Sequence, residues 1–173
     1  TGTVGDAALA LALAEEPVAK LDSEARWLLN RLHRPTPRVG IGLALYGLAS
    51  AVIDISDGLL ADLGQIVRAS GQAGAVIETT SLPLSPAGKS YPLEDRLTAA
   101  LTGGDDYELC LTVPQSESDR MRMLSREAGV LLTDVGCITA HAGITLTQSG
   151  VPVAGPRRDG YEHVWPIARE RNS

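Results

Sequence analysis

Hydrophobic and polar positions along this chain switch repeatedly between helical and strand periods. Residues 6–14 read Asp-Ala-Ala-Leu-Ala-Leu-Ala-Leu-Ala, strong helix formers behind a capping aspartate, and predict a first helix. A second starts at Asp22 or Ser23 and runs through Trp27, Leu28, Leu29 and Leu32 until Pro35 and Pro37 end it. Residues 38–49 mix Gly with Leu and favour helix over strand. Residues 51–55 (Ala-Val-Ile-Asp-Ile) are a short β-rich run, after which Leu59, Leu60, Leu63, Ile66 and Val67 recur at helical spacing. Gly71 and Gly74 close that helix and residues 75–79 read as strand, so the order strand, turn, helix, strand predicts a βαβ crossover. There follow a helix over 93–101 and a strand over 107–113 stopped by Pro114. A charged helix over 116–128 has Met121, Leu124 and Met123 facing inward. Two weaker strands lie near 131–138 and 143–147, and Ser149-Gly150 turns a hairpin into 151–153. Beyond residue 157 the chain is polar apart from Tyr161, Val164, Trp165 and Ile167. Without repeats, low-complexity tracts or linkers, residues 1–173 read as one domain of mixed α/β (α+β) class, with helices covering a mixed sheet.

Composition narrows the picture. At 173 residues, a chain buries roughly 70% of the surface its unfolded form exposes. With no Phe, the core must come from Ala, Val, Leu and Ile. The formal charge of −6 argues against capture of nucleic acid or an anionic membrane surface. No apolar run approaches the length of about 18 residues that a bilayer demands, and Thr1-Gly-Thr-Val-Gly5 lacks the regions of a signal peptide. Cys110 and Cys137 have no Cys-x-x-Cys spacing. They read as small buried hydrophobes in a reducing cytoplasm rather than as zinc ligands or a disulfide.

Two acidic constellations could carry chemistry. In Asp54-Ile-Ser-Asp-Gly58, Asp54 and Ser56 share one face of a strand and Asp57 falls on the turn beyond its carboxyl end, where α/β folds place ligands. Carboxylates there cannot take phosphate directly, but they can hold Mg²⁺, which completes its shell with water and phosphate oxygens. The competing reading is an ordinary N-cap by Ser56 or Asp57. Against it stands Asp54, an ionisable group in an apolar strand that is costly to bury unpaired. The second constellation is Thr102-Gly-Gly-Asp-Asp-Tyr-Glu108, where Asp105, Asp106 and Glu108 crowd negative charge just before a strand and call for a metal or a positively charged ligand. A solvated turn is the even alternative. Gly88-Lys-Ser90 only imitates a phosphate-binding loop, because Pro83 stands where that motif needs its first glycine. His33, His141 and His163 are scattered and form no catalytic order.

Taken together, Asp54-Ile-Ser-Asp-Gly-Leu-Leu-Ala-Asp-Leu-Gly64 and Leu101-Thr-Gly-Gly-Asp-Asp-Tyr-Glu-Leu-Cys110 resemble the carboxy-terminal half of the bacterial thiamine-monophosphate kinases. Thr1–Asp6, His33–Arg38, Leu82–Ser85 and Gly160–His163 match in the same order. The first motif alone would indicate only the wider group that includes aminoimidazole-ribonucleotide synthetase and selenophosphate synthetase. The resemblance implies a three-layer fold like the carboxy-terminal domain of that group. It also implies phosphoryl transfer from ATP to thiamine monophosphate with several Mg²⁺ ions, in a homodimeric cytoplasmic enzyme. By motif, Asp54 and Asp57 would be Mg²⁺ ligands, Ser56 an ATP contact, and Asp105 and Tyr161 substrate contacts. The family usually has Glu at the position of Asp105. Its amino-terminal domain, with most of the metal-binding acids, has no counterpart in these residues, so the chain is expected to be the back half of an enzyme and inactive alone. The alternatives are a non-catalytic thiamine-phosphate-binding domain or a synthetase of the wider group.

Overall fold

The computed structural model describes residues 1–71 and 73–156. Six α-helices and six strands occur among them in the order α1 (Asp6–Leu11), α2 (Ser23–His33), α3 (Val39–Ala44), β1 (Ala51–Ile55), α4 (Leu59–Ala69), β2 (Gly74–Glu78), α5 (Leu93–Thr102), β3 (Glu108–Thr112), α6 (Ser118–Ala128), β4 (Gly136–Thr139), β5 (Gly143–Gln148) and β6 (Val151–Val153). The expected helix-covered mixed sheet is present as β4-β2-β5-β6, in which β2 pairs antiparallel with β4 and parallel with β5. A separate antiparallel pair, β1-β3, sets Ile55 opposite Glu108 and Ala51 opposite Thr112.

That division corrects the predicted crossover. β1, α4 and β2 follow one another as expected, but β1 and β2 lie in different sheets and do not pair. Instead α4 bridges them. Its buried Leu59, Leu60, Leu63 and Val67 join Ile55 of β1, Ala75 and Ile77 of β2, Leu146 of β5 and Ala100 and Leu101 of α5 in one apolar core. A smaller core on the other side of β3 joins Ile41 and Leu45 to Met121 of α6, with Leu109 and Leu111 packed against it. Met121 and the half-buried Leu124 face inward as predicted, whereas Met123 is exposed. Cys137 is exposed too, against the expectation of burial; Cys110 is half-buried and both thiols are free.

Cap chemistry explains two further boundaries. Of the two expected starts, Ser23 opens α2 and Asp22 caps it, its Oδ1 accepting the Ala25 N–H at 2.8 Å. Asp6 does not cap α1: Gly5 occupies the N-cap in the left-handed region at φ +86°, and the helix stops at Leu11 rather than residue 14. No helix is long and apolar enough to cross a membrane among the described residues.

Candidate functional site

The tip of β1 and the start of β3 bring the two acidic motifs into contact. The Tyr107 N–H donates to the Ile55 carbonyl at 2.8 Å, and the Asp105 N–H to the Ser56 carbonyl at 3.0 Å. Gly104 is required for this approach, because a Cβ there would lie 2.3 Å from the Ser56 carbonyl oxygen. Gly58, at φ +113°, plays the matching part on the other motif: a Cβ there would stand 2.8 Å from the Thr102 carbonyl carbon. Both positions therefore need glycine for close backbone contact.

Alternation along residues 105–108 then sorts the acids. Asp106 and Glu108 point inward and are buried, whereas Asp105 and Tyr107 face out. Asp106 closes the head of α1, its Oδ2 accepting the Gly5 N–H at 2.6 Å and its Oδ1 the Ala7 N–H at 3.3 Å. Burial pushes its pKa up to about 7 against the pull of those amides. Asp6 lies close by, its carboxylate accepting from Ser85 Oγ and Thr3 Oγ1, both at 2.5 Å. Burial raises its pKa as well.

Glu108, with no exposed surface, is gripped by two guanidiniums. Arg38 forks onto it, Nε to Oε2 at 2.7 Å and Nη2 to Oε1 at 2.6 Å, and Arg31 Nη2 adds a contact to Oε1 at 2.9 Å. Thr1 Oγ1 completes the shell at 2.6 Å. Burial pushes this carboxyl toward the neutral form. The hydrogen bonds from Arg38 and Thr1 and the two positive charges outweigh it, and the pKa lies below the ordinary glutamate value. The cation that the second motif calls for is thus, for Glu108, arginine from the chain itself, while Asp106 is held by backbone amides.

The outward groups form a different surface. Asp105 and Tyr107 both hold positive φ, +65° and +51°, a conformation rare for non-glycine residues and common at functional positions. Tyr107 is 42% exposed, and its hydroxyl donates to Asp105 Oδ1 at 3.3 Å. Asp105 chiefly, with Asp54 and Asp57, raises the Tyr107 pKa, so these four side chains share one negative field. Asp54 itself is exposed on β1. The prediction that it lies buried and needs a partner for that reason is therefore corrected: side chains on its face of the strand open to solvent. Gly58, rather than Ser56 or Asp57, occupies the N-cap of α4 and supplies no side chain. Asp62, within the first turn, reaches back instead. Its Oδ2 accepts the N–H groups of Ser56, Asp57 and Gly58 at 3.0, 3.1 and 3.2 Å. Burial raises the Asp62 pKa, with those amides opposing.

Four of the five predicted site residues, Asp54, Ser56, Asp57 and Asp105, therefore meet at one end of the β1-β3 pair; Tyr161 lies outside the described residues. Asp62, Arg31 and Arg38 were missed. An aspartate interrupting the apolar face of α4, six positions after Ser56, was the available signal for the first. Among the described residues no group of three or more His, Cys, Asp or Glu is placed to hold a metal ion. The oxygen-only donor set of Asp54, Ser56 and Asp57 nevertheless suits Mg²⁺, which is held by one or two carboxylates and draws its other ligands from water and phosphate.

No protein-family model matches the chain. It is 40% identical to the thiamine-monophosphate kinase of Salmonella typhimurium over 166 residues, 94% of this chain and 50% of that enzyme. The crystal structure of thiamine-monophosphate kinase from Stenotrophomonas maltophilia K279a superposes at a TM-score of 0.76 with 39% identity, over 88% of this chain and 49% of that one. AaThiL complexed with AMPPCP and TMP superposes at 0.71 with 29% identity, over 95% and 50%. The chain spans about half the length of the curated relatives it matches. In sequence and in fold, over nearly all of its residues, it is a homologue of the thiamine-monophosphate kinases.

Proposed function

We propose that this chain is the carboxy-terminal part of an ATP-dependent kinase that converts thiamine monophosphate to thiamine diphosphate, the remainder of the site coming from an amino-terminal domain. The observation that carries this is the meeting of Asp54, Ser56, Asp57 and Asp105 on one exposed, negatively charged end of β1-β3, in a homologue of half of such enzymes. Asp54 and Asp57 would hold Mg²⁺, and Ser56 would offer its hydroxyl to ATP. Bound Mg²⁺ would supply charge neutralisation for the phosphoryl group in transit. Asp105, steadied by the Tyr107 hydroxyl, would face the positively charged ring of thiamine, with Tyr161 as an aromatic contact. No covalent nucleophile is needed when positioning and electrostatics do the catalysis.

Joining the chain to the amino-terminal half of the Salmonella relative tests this. The fusion should form ADP only when thiamine monophosphate is present, and Asp57→Ala should lower turnover by about two orders of magnitude. The unfused chain should show negligible turnover. A folded fusion without activity would overturn the assignment. Binding without turnover is the rival reading. Calorimetric titration of the unfused chain with thiamine monophosphate, with and without Mg²⁺, measures it directly.

A further inference from the structure

We infer that Asp62 is a positioning residue that makes the turn 56–58 hold a cation instead of an anion, an inference that rests on the reading above in which Asp54 and Asp57 hold Mg²⁺. Three consecutive amides, those of Ser56, Asp57 and Gly58, converge at the head of the eleven-residue helix α4. Converging amides at the start of a helix, reinforced by the helix dipole, are a ready-made seat for phosphate. In this chain the seat is filled from within. Asp62, only 4% exposed, places one carboxylate oxygen within 3.2 Å of all three nitrogens.

Two consequences follow for the site. A phosphate group cannot use these amides without displacing a buried carboxylate that already satisfies them, so it must approach through a cation. The same three hydrogen bonds also fix the backbone that presents Ser56 and Asp57, so the turn needs no ordering when a cation arrives. Gly58 allows the reversal: at φ +113° it turns the chain so that the Ser56 and Asp57 amides, with its own, reach Asp62 one turn on. The Asp62 N–H in turn donates to the Gly58 carbonyl at 3.0 Å, which locks the donor and acceptor ends of the turn together.

Amide NMR on the full chain, titrated with inorganic phosphate in one arm and Mn²⁺ in the other, tests the inference with Asp62→Ala and Asp62→Asn. Wild type should show no phosphate shifts at residues 56–58, and Mn²⁺ broadening centred on residues 54–57. Asp62→Ala empties the seat. Phosphate shifts should appear at those three amides, and Mn²⁺ affinity should fall at least about tenfold. Asp62→Asn keeps the size but not the charge, should show both effects more weakly, and carries the test if the alanine variant does not fold. A cap serving stability alone would lower the melting temperature without opening a phosphate site. A folded Asp62→Asn protein with wild-type responses to both probes would overturn the inference. Phosphate binding gained in the variants, with no Mn²⁺ binding in any form, would support the role of Asp62 and overturn the metal reading. Mn²⁺ binding retained unchanged in both variants, with no phosphate gained, would do the reverse.

Discussion

Loop 54–58 and loop 103–108 present acids to the same surface, but they are held by opposite devices. The first is fixed by an anion, the Asp62 carboxylate, gathering backbone N–H groups. The second is fixed by cations, Arg31 and Arg38, gripping Glu108 from behind, while Asp106 ties the same strand entry to the head of α1. The difference teaches that an acid-rich motif is not one kind of object. Of the acids in residues 105–108, two are buried internal fasteners and only Asp105 faces solvent. Charge crowding in the sequence therefore overstates how much negative potential reaches solvent.

Breaking the cationic clasp should cost most. Glu108→Ala leaves two guanidiniums without their buried partner and should destabilise the chain by about 3–5 kcal/mol in denaturant titration. The next effect depends on pH. The folded pKa of Asp106, about 7, lies above the ordinary aspartate value. Between about pH 4 and pH 7 the folded chain thus binds the proton that the unfolded chain has lost. Stability should fall by a few kcal/mol as pH rises through that window, and Asp106→Asn should flatten the slope. Gly104→Ala would force a Cβ into the Ser56 carbonyl. It should cost about 1–3 kcal/mol and release the Asp105 and Tyr107 amides to hydrogen exchange. Smallest of all, Asp54→Asn should change stability by no more than about 0.5 kcal/mol, because the side chain is exposed. A large loss there would mean that loop 54–58 is also a structural clasp and would erase the contrast between the loops.

The sequence made the elements legible where apolar spacing was strong. Leu59, Leu60, Leu63, Ile66 and Val67 define α4 without ambiguity, and Asp22 announces α2. Pairing was less legible. The order of β1, α4 and β2 suits a crossover, and only the arrival of β3 beside β1 shows that these strands belong to different sheets. The site was half legible. Asp54, Ser56, Asp57 and Asp105 stood out as acids and a hydroxyl gathered where strands meet turns, and as matches to a family motif. The inward turn of Glu108 could not, since it makes sense only with Arg31 and Arg38 in place, 77 and 70 positions earlier in the chain. The exposure of Asp54 was misread for the same kind of reason: a strand of a two-stranded pair leaves one face without a covering layer.

The bond from Gly5 to Asp106 spans 101 positions. A six-residue helix is too short to persist on its own in water. During synthesis at about 5–20 residues per second, the carboxylate that closes α1 follows it by roughly 5–20 s. The amino-terminal segment should be among the last parts of the chain to gain protection during refolding, with a rate set by that distant closure rather than by its own alanine-rich sequence.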